Sequence, residues 1–297
     1  MYRFIKHIIV FVLVATVFSV QAQTDTLSEP ELGKLEKIYL KEKHLTESPY
    51  EVSFKKEIPY YATALSTISL GFIIRDHKKK PAFTELELSQ LSTSEVNSFD
   101  REVTGFHSKK AAKTSDIVQY TSLILPILFT TEHATRKDII PLLVISSEVY
   151  LTVGGIVLSS KYHFGRTRPM VYNDSFTFKE RTSASSRLSF ISGHTAFTSA
   201  FTFHVAKVIH DYHPGLRNFY KVGLWTGAAA IPLFTGYLRI RAGKHFYTDV
   251  AAGFAVGSTV GWLVTHLHKK KKKDNKLSLV PFNYDGASGF TLTLKLD

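Results

Sequence analysis

The chain of 297 residues contains no cysteine, which excludes a thiol nucleophile and a disulfide framework. The absence of thiols also suits a protein exported to an oxidising compartment. No group of side chains has the composition and spacing of a metal-ligand set, so we expect neither a metal ion nor a cofactor at the functional site. Any nucleophile must therefore be another residue type.

Strand-like alternation is nearly absent before the C-terminal tail, and no internal repeat is visible. The sequence therefore predicts an all-α fold, a helical bundle with a core in residues 116–268. Helices are expected at about residues 116–132, 138–160, 194–211, 219–238 and 248–268. In the tail, alternating residues on both sides of Asp285-Gly286 predict a short β-hairpin.

The charge balance is strongly basic, with 37 lysines and arginines against 25 acidic residues and a formal net charge of +12. This balance favours an anionic substrate or an anionic lipid surface as the partner. Nucleic acid is not expected, because no basic face interleaved with aromatic residues and no known reader motif is present.

Basic residues and two histidines are concentrated in three short segments of the C-terminal half. These are Lys161 to Pro169 with Lys161 and Arg168, the tripeptide Ser192-Gly193-His194, and Arg239 through His245 to Asp249. Together they supply three fixed cations, two imidazoles and one carboxylate. That combination is suited to breaking a phosphate ester through a phosphohistidine.

The cations suit a phosphoryl group because its charge is spread over three oxygens in the transition state. Arginine offers a planar fork of donors that matches phosphate, and lysine adds a point charge. Lys161, Arg168 and Arg239 are therefore expected to form a phosphate cradle. Ser192 and the amide of Gly193 are expected to add contacts, because they open a predicted helix and helix N-termini bind anions.

Two histidines are required because one imidazole attacks phosphorus and the other protonates the leaving oxygen. Asp249 follows His245 by four residues, so in a helix its carboxylate would reach the ring nitrogen that faces away from phosphorus. We therefore assign His245 as the nucleophile and His194 as the general acid. Arg166 and His163 lie within the first segment and are candidates for lining the entrance.

The ordered pattern Lys-x6-Arg-Pro, Ser-Gly-His and Arg-x5-His-x3-Asp resembles the signature of the type-2 phosphatidic acid phosphatase and vanadium haloperoxidase superfamily. The resemblance covers roughly residues 140–265. It implies phosphate binding by Lys161, Arg168, Ser192, Gly193 and Arg239, and catalysis by His194, His245 and Asp249. This sequence departs from the pattern at Ile191, where the family has proline, and at Leu238, where it has serine.

The resemblance implies a metal-independent phosphatase that hydrolyses a phosphomonoester or pyrophosphate, and we expect a phosphorylated lipid as the substrate. Two alternatives remain open at this point. One is a vanadate-dependent haloperoxidase, whose anion site is similar. The other is a non-catalytic phospholipid-binding membrane protein, because Ile191 and Leu238 replace family residues.

The N-terminus has the pattern of a secretory signal. Arg3 and Lys6 precede an apolar run from Ile8 to Val20, and Ala22 ends a small-residue cleavage site. We expect residues 1–22 to be a signal peptide, with an uncleaved anchor as the alternative. Residues 23–115 are predicted to be a polar N-terminal helical region, residues 116–268 the phosphatase core, and residues 269–297 a basic run followed by the hairpin.

The charge pattern favours helices that span a bacterial inner membrane over a soluble periplasmic domain, which is the alternative. The run Lys269–Lys273 follows the last predicted helix, and such runs remain in the cytoplasm. All three functional segments then face the periplasm. This orientation requires Tyr60–Ile74 to be a non-spanning segment, either peripheral or buried in the bundle.

Overall fold

A computed structural model describes residues 48–270 of the chain with their side chains, and the backbone of residues 277–284 and 287–294. The predicted signal peptide lies outside these residues. The described part is predominantly helical, as expected. Its α-helices are α1 (Phe54–Lys78), α2 (Glu85–Gln90), α3 (Ser98–Arg101), α4 (Lys109–Leu123), α5 (His133–Arg136), α6 (Ile139–Phe164), α7 (Phe178–Arg181), α8 (Gly193–Tyr212), α9 (Asn218–Arg241) and α10 (Tyr247–Leu267).

Four of the five helices predicted in the core match α6, α8, α9 and α10 closely. The predicted helix 116–132 differs, because α4 ends at Leu123 and a short 3₁₀ helix, Leu125–Thr130, follows it. Pro126 lies at the start of that 3₁₀ helix. Proline has no backbone N–H to continue an α-helical hydrogen-bond ladder, which explains the break.

The long helices of the core alternate in direction, so their ends meet at two opposite ends of the bundle. At one end, the backbone N–H of Ser192, which precedes α8, donates to the carbonyl of Asp249 in α10 at 3.0 Å. At the other end, the Tyr212 hydroxyl of α8 donates to Asp138, which precedes α6, at 2.7 Å. The three functional segments of the sequence therefore come together at the first of these ends.

Helix α10 packs very closely on α8 because glycines line the contact. A Cβ atom on Gly253 would lie 2.6 Å from the Ser192 carbonyl oxygen, and on Gly257 it would lie 2.1 Å from that of Ala196. On Gly261 it would lie 2.1 Å from the carbonyl oxygen of Ala200. Small residues allow two helix backbones to approach closely, and here they hold the first turn of α10 against the start of α8.

The apolar core beneath the functional end is formed by α6, α8 and α10. Val149, Val153, Ala196, Ala200 and Val260 are buried and pack in one cluster there. Burial of these side chains stabilises the fold through the hydrophobic effect, by roughly 25 cal/mol for each Å² of apolar surface removed from water. The cluster fixes the relative positions of the three helices that carry functional residues.

Helix α1 packs along the outside of α6, again through glycines. Its Tyr61 hydroxyl lies 2.5 Å from the Ser147 hydroxyl, and Ser159 donates to the Thr67 carbonyl at 3.1 Å. The contact that lies later in α1 also lies later in α6, so the two helices run in the same direction. Tyr60–Ile74 therefore lies at the periphery of the bundle, one of the two predicted positions, and that it does not span the membrane stays a prediction.

The predicted boundary at residues 115/116 does not separate two units of the structure. Ser48–Asp297 form one compact unit, in which the polar residues before 116 join the core residues. Asp100 from this region contacts the C-terminal segments, as described below. The sequence pattern gave no sign of these contacts because the partners lie far apart in the chain.

In the tail, where the sequence predicts a hairpin, two strands lie in antiparallel order. Strand β1 (Leu277–Tyr284) pairs with β2 (Ala287–Leu294), from Leu277 opposite Leu294 to Tyr284 opposite Ala287.

Two helical segments of the described residues are long and apolar enough to cross a membrane by length and composition, Ile139–Tyr172 and Tyr247–Leu267. Many large apolar side chains also face outwards on the long helices. Examples are Leu65 and Phe72 on α1, Ile140 on α6, Phe234 on α9 and Trp262 on α10. This distribution is unusual for a surface in contact with water.

Replacement of Gly257 by alanine should lower the stability of the fold, because the new methyl group would overlap the Ala196 carbonyl and push α10 away from α8. We expect a loss of about 1–3 kcal/mol, the range for overpacking. Gly223→Ala in exposed α9 is the matched control, because nothing lies within 4 Å of its Cβ position. Thermal unfolding of both variants measures the difference, and equal midpoints would contradict the close contact.

Candidate active site

His245 lies at the centre of the functional end, in the loop between α9 and α10. Its side chain is 1% exposed, and its Nε2 atom lies 3.4 Å from Nη1 of Arg168. The structure thus brings the third functional segment against the first. One ring nitrogen faces a guanidinium group, and the other, Nδ1, faces Asp249.

Arg168 is held in place by backbone carbonyl groups. Its Nε donates to the Ser185 carbonyl at 2.8 Å, and its Nη1 donates to the Lys244 carbonyl at 3.1 Å. Neutral carbonyls orient the guanidinium group without cancelling its charge. Arg168 therefore remains available to attract an anion next to His245.

The other two predicted cations lie at the same end of the bundle. Lys161, near the end of α6, donates from Nζ to the Leu188 carbonyl at 2.9 Å. Arg239, near the end of α9, donates from Nη1 to the Ser115 hydroxyl at 3.2 Å. The buried Nε of Arg239 has no hydrogen-bond partner among the residues that the structure describes. That nitrogen is a donor ready for an incoming oxygen.

The environment of His245 keeps its imidazole neutral. Burial lowers the pKa of this side chain well below its ordinary value, and the nearby charges of Arg168, Lys161 and Arg239 lower it further. A neutral imidazole has a free electron pair on one ring nitrogen. His245 is therefore in the form that a nucleophile requires.

Asp249 lies on the first turn of α10, as the sequence predicted, but it does not hydrogen-bond to His245. Its Oδ2 lies 3.6 Å from Nδ1 of His245, beyond hydrogen-bond distance. The same oxygen accepts hydrogen bonds from the Ser189 hydroxyl at 2.5 Å and from the Phe246 backbone N–H at 2.9 Å. The carboxylate thus fastens the loop on both sides of the histidine and faces its ring at ion-pair distance.

Arg166 occupies a different place from the entrance position suggested by the sequence. It lies between two buried carboxylates, donating to Asp249 at 2.6 Å and to Asp100 at 2.7 Å. Its guanidinium group also covers the Phe246 ring at 4.2 Å. Arg166 therefore supports the loop of His245 from behind and connects it to α3.

Asp100 is a supporting residue that the sequence analysis missed. Besides Arg166, it accepts hydrogen bonds from the Thr248 hydroxyl at 2.6 Å and the Thr248 backbone N–H at 3.1 Å. Burial alone would raise the pKa of Asp100, but hydrogen bonds from Thr248, Arg166 and Asn97 outweigh it and lower the pKa. No motif marks this residue, because Arg166 and Thr248, its partners in the functional segments, follow it in the chain by more than sixty residues.

The segment Ser192-Gly193-His194 begins α8, as predicted, with Ser192 as the N-cap residue. The Ser192 hydroxyl is fully buried and accepts a hydrogen bond from the Thr195 backbone N–H at 3.5 Å, so it caps the helix in this structure. Gly193 is the first helical residue, and a Cβ atom there would lie 3.8 Å from Cε of Lys161. The N-terminal amides of α8 are thus close to the side chain of one predicted cation.

His194 projects from the first turn of α8 and contacts a second residue that the sequence analysis missed. Its Nε2 lies 2.7 Å from Oδ1 of Asp116 on α4, and the same oxygen accepts from Arg239 at 3.3 Å. Asp116 is half-exposed, with 46% of its side chain accessible. The structure therefore links the predicted acid to one of the predicted cations through a carboxylate.

The two departures from the family pattern are packing residues. Ile191 is 2% exposed and belongs to the apolar cluster between α6 and α8. Leu238 is 9% exposed and packs against Ala111 and Ala242. Both side chains pack among apolar residues and replace none of the polar groups described above, so the polar site is complete.

Comparison with known proteins agrees with the family resemblance. The family model of the PAP2 superfamily matches residues 142–273. The lipid A 1-phosphatase of Porphyromonas gingivalis is 36% identical over 111 residues, which are 37% of this chain and 20% of that protein. The chain therefore spans about one fifth of the length of this curated relative.

A solved structure is also similar, the first transmembrane PAP2-type phosphatidylglycerolphosphate phosphatase from Bacillus subtilis. The alignment covers 71% of this chain and 98% of the other, with 19% sequence identity and a TM-score of 0.44.

Replacement of Asp100 by asparagine should destabilise the protein, because Arg166 would lose one of its two buried partners. We expect a loss of about 3 kcal/mol at pH 7. The lowered pKa of Asp100 stabilises the fold above the unfolded value near 4, and this contribution is lost as the pH falls through the lower folded value. The stability difference between wild type and variant should therefore be constant from pH 7 to about pH 5 and shrink below about pH 4.

Unfolding midpoints measured across this pH range test the expectation for Asp100. Asp174→Asn is the matched control, since Asp174 pairs with Arg181 but is 92% exposed, and exposed pairs contribute little. A difference that grew on acidification would contradict the assigned role of Asp100.

Proposed function

We propose that the chain is a phosphatase of the PAP2 superfamily, whose family model matches residues 142–273, and that it acts through a phosphohistidine on His245. The observation that carries this proposal is the buried, neutral imidazole of His245 beside Arg168, at 3.4 Å. The cations around His245 repel one another, and an uncharged imidazole does not offset that repulsion. The arrangement therefore does not stabilise the fold. It has a clear chemical purpose if a phosphate group joins them.

Substrate binding places the phosphate between the cations and His245. Arg168 and Arg239 supply guanidinium donors, including the unpartnered Nε of Arg239, and Lys161 adds a point charge. The N-terminal amides of α8, beginning at Gly193, contribute partial positive charge to the same end. These groups stabilise the charge on the three equatorial oxygens of the transition state.

The first chemical step transfers the phosphoryl group to the enzyme. Nε2 of His245 forms a bond to phosphorus as the bond from phosphorus to the leaving oxygen breaks, and His194 gives its proton to that oxygen. In the second step, His194 takes a proton from water, the water oxygen bonds to phosphorus, and the bond to His245 breaks. Inorganic phosphate is released, and both histidines return to their initial forms.

Asp249 and Asp116 act as positioning residues in this scheme. Asp249 faces Nδ1 of His245 at 3.6 Å, and a shift of a few tenths of an ångström would form the hydrogen bond as the ring becomes charged. Burial and the charge of Arg239 lower the pKa of His194 to about 4, and Asp116, at 2.7 Å, opposes this shift. The charge of the bound phosphate adds to that of Asp116 and favours the protonated ring that the first step requires.

A phosphorylated lipid is the proposed substrate, and a bacterial inner membrane the proposed location. Two helical segments have the length and composition of membrane spans, and the long helices expose large apolar side chains. The similar protein of P. gingivalis is named as a lipid phosphatase. Lys269 and the lysines after it follow α10, so the opposite end of the bundle, which holds the site, would face the periplasm.

Replacement of His245 by glutamine should abolish turnover, because no other group at the site can form the covalent intermediate. We expect a loss of at least about 10⁴-fold in kcat with p-nitrophenyl phosphate, since nucleophiles contribute on this scale. Radiolabelled substrate should leave an acid-labile, base-stable label on the wild-type protein and none on the variant. His133→Ala, an exposed histidine at the other end of the bundle, should behave as the wild type. Substantial activity in the His245 variant would refute the mechanism.

Replacement of His194 by alanine should affect poor leaving groups far more than good ones, because a general acid is needed only for a basic leaving oxygen. With an alkyl phosphate we expect a loss of about 10²- to 10⁴-fold in the first step. With 2,4-dinitrophenyl phosphate the burst of released phenolate should persist, followed by slow turnover because hydrolysis of the intermediate still needs a base. Rapid-mixing absorbance measures the burst, and equal loss with both substrates would exclude His194 as the acid.

A further inference from the structure

Three side chains of metal-ligand type meet at the end of the bundle opposite the active site. Glu57 of α1, Glu148 of α6 and His268, which directly follows α10, each offer one ligand atom, and these atoms all lie within 4.8 Å of one another. Their side chains are 9%, 2% and 1% exposed. Helix α10 separates them from Asp249 by about 30 Å, so they take no part in the chemistry proposed above.

The hydrogen bonding of His268 directs one ring nitrogen at both carboxylates. Nδ1 lies 2.7 Å from the Val264 carbonyl oxygen, which can only accept, so Nδ1 carries a proton. Nε2 lies 3.0 Å from Oε2 of Glu57 and 3.0 Å from Oε2 of Glu148. A carbonyl that fixes the outer nitrogen and leaves Nε2 free for a ligand is the usual support of a metal-binding histidine.

Glu148 has no hydrogen-bond donor of its own. Both of its carboxylate oxygens are buried, and neither accepts a hydrogen bond from any residue that the structure describes. A single proton on Nε2 of His268 serves Glu57, whose other oxygen accepts from the Ser53 backbone N–H at 3.3 Å. An ionised carboxylate buried in this way is costly unless a cation neutralises it.

The charges and distances are those of a divalent cation site. Within residues 48–270 both glutamates form ion pairs with His268 alone, through its Nε2–H. A metal ion that replaces this proton would meet two carboxylates and a neutral imidazole, a ligand set with two negative charges. Two ligand atoms about 2.1 Å from one ion stand roughly 3.0 to 3.4 Å apart, which matches the observed nitrogen–oxygen separations. We propose that Glu57, Glu148 and His268 bind a divalent transition-metal ion, of which Zn²⁺ fits best.

The ligand set favours a first-row transition metal over magnesium or calcium. Mg²⁺ and Ca²⁺ prefer oxygen ligands throughout, whereas Zn²⁺ accepts imidazole nitrogen together with carboxylate oxygen. The ion would join α1 to α6 and α10, because each ligand comes from or adjoins a different helix. Its role is to hold the outer helix on the core, and it is independent of the proposed phosphatase activity.

Zinc binding by the purified full-length chain tests the site. Chelator-treated protein in detergent is equilibrated with Zn²⁺, and bound zinc is measured by mass spectrometry after gel filtration. The wild type should bind one ion per chain more than Glu148→Gln, which keeps the shape of the side chain and removes its charge. Zn²⁺ at about 100 times its dissociation constant should raise the wild-type unfolding temperature by about 5 °C or more and leave that of Glu148→Gln unchanged.

The metal-free proteins provide the second comparison. Without zinc, Glu148→Gln should be at least as stable as the wild type, because it removes the second of two buried carboxylate charges that share the single positive charge of His268. His266→Ala, an exposed histidine two residues before His268, is the matched control and should retain both the zinc and the temperature shift. The proposal is overturned if the wild type binds no more zinc than Glu148→Gln, or if Zn²⁺ leaves its unfolding temperature unchanged.

Discussion

The buried carboxylate of Asp249 is the interaction on which the geometry of the active site depends. It accepts hydrogen bonds from Arg166 in the first functional segment, from Ser189 just before the second, and from the backbone of Phe246 in the third. One side chain thus fastens all three segments at a single point. Asp100 continues the network through Arg166 into the N-terminal part of the bundle. A conformation of the His245 loop that lacked these bonds would leave the buried carboxylate of Asp249 without partners.

The packing of α10 on α8 gives this network its rigid base. The glycines of α10 let its backbone approach the carbonyls of α8, and the backbone N–H of Ser192 reaches the Asp249 carbonyl at 3.0 Å. His194 and His245, the proposed acid and nucleophile, are therefore placed by two helices in direct backbone contact. Rigid placement matters because an error of one ångström in a reacting group can reduce a rate about 100-fold. The packing fixes the positions of the two helices, and the hydrogen bonds of Asp249 fix the loop that carries His245.

Much of this arrangement could be predicted from the sequence. The helices α6, α8, α9 and α10 follow from their apolar periodicity and caps, and the order of the three functional segments predicts which residues meet. The supporting acids could not be predicted, because Asp100 and Asp116 lie in polar stretches without a motif and act across more than sixty residues of chain. The position of Arg166 was misjudged for the same reason. Spacing predicted that Asp249 lies near His245, but not that Ser189 and Phe246 would occupy the carboxylate oxygen.

The packing of α1 along α6 could not be predicted from the sequence either. Its hydropathy is moderate because one face contacts α6 through polar and small residues such as Thr67, and its basic end adds charge. A hydropathy criterion averages the two faces of a helix and cannot recognise that only one of them faces outwards. The contacts with α6, which no sequence pattern marks, determine the direction of α1.

The carboxylate of Asp116 has a consequence for selectivity among anions. It already occupies hydrogen-bonding positions on both His194 and Arg239, so an anion that reaches these groups must exchange with it. Chloride or a carboxylic acid offers one charge for another and gains little in that exchange. A phosphate dianion brings more charge and three oxygens, and so it displaces the internal competitor more readily. Under the proposed function, Asp116 is thus an internal competitor that an incoming phosphate must displace from His194 and Arg239.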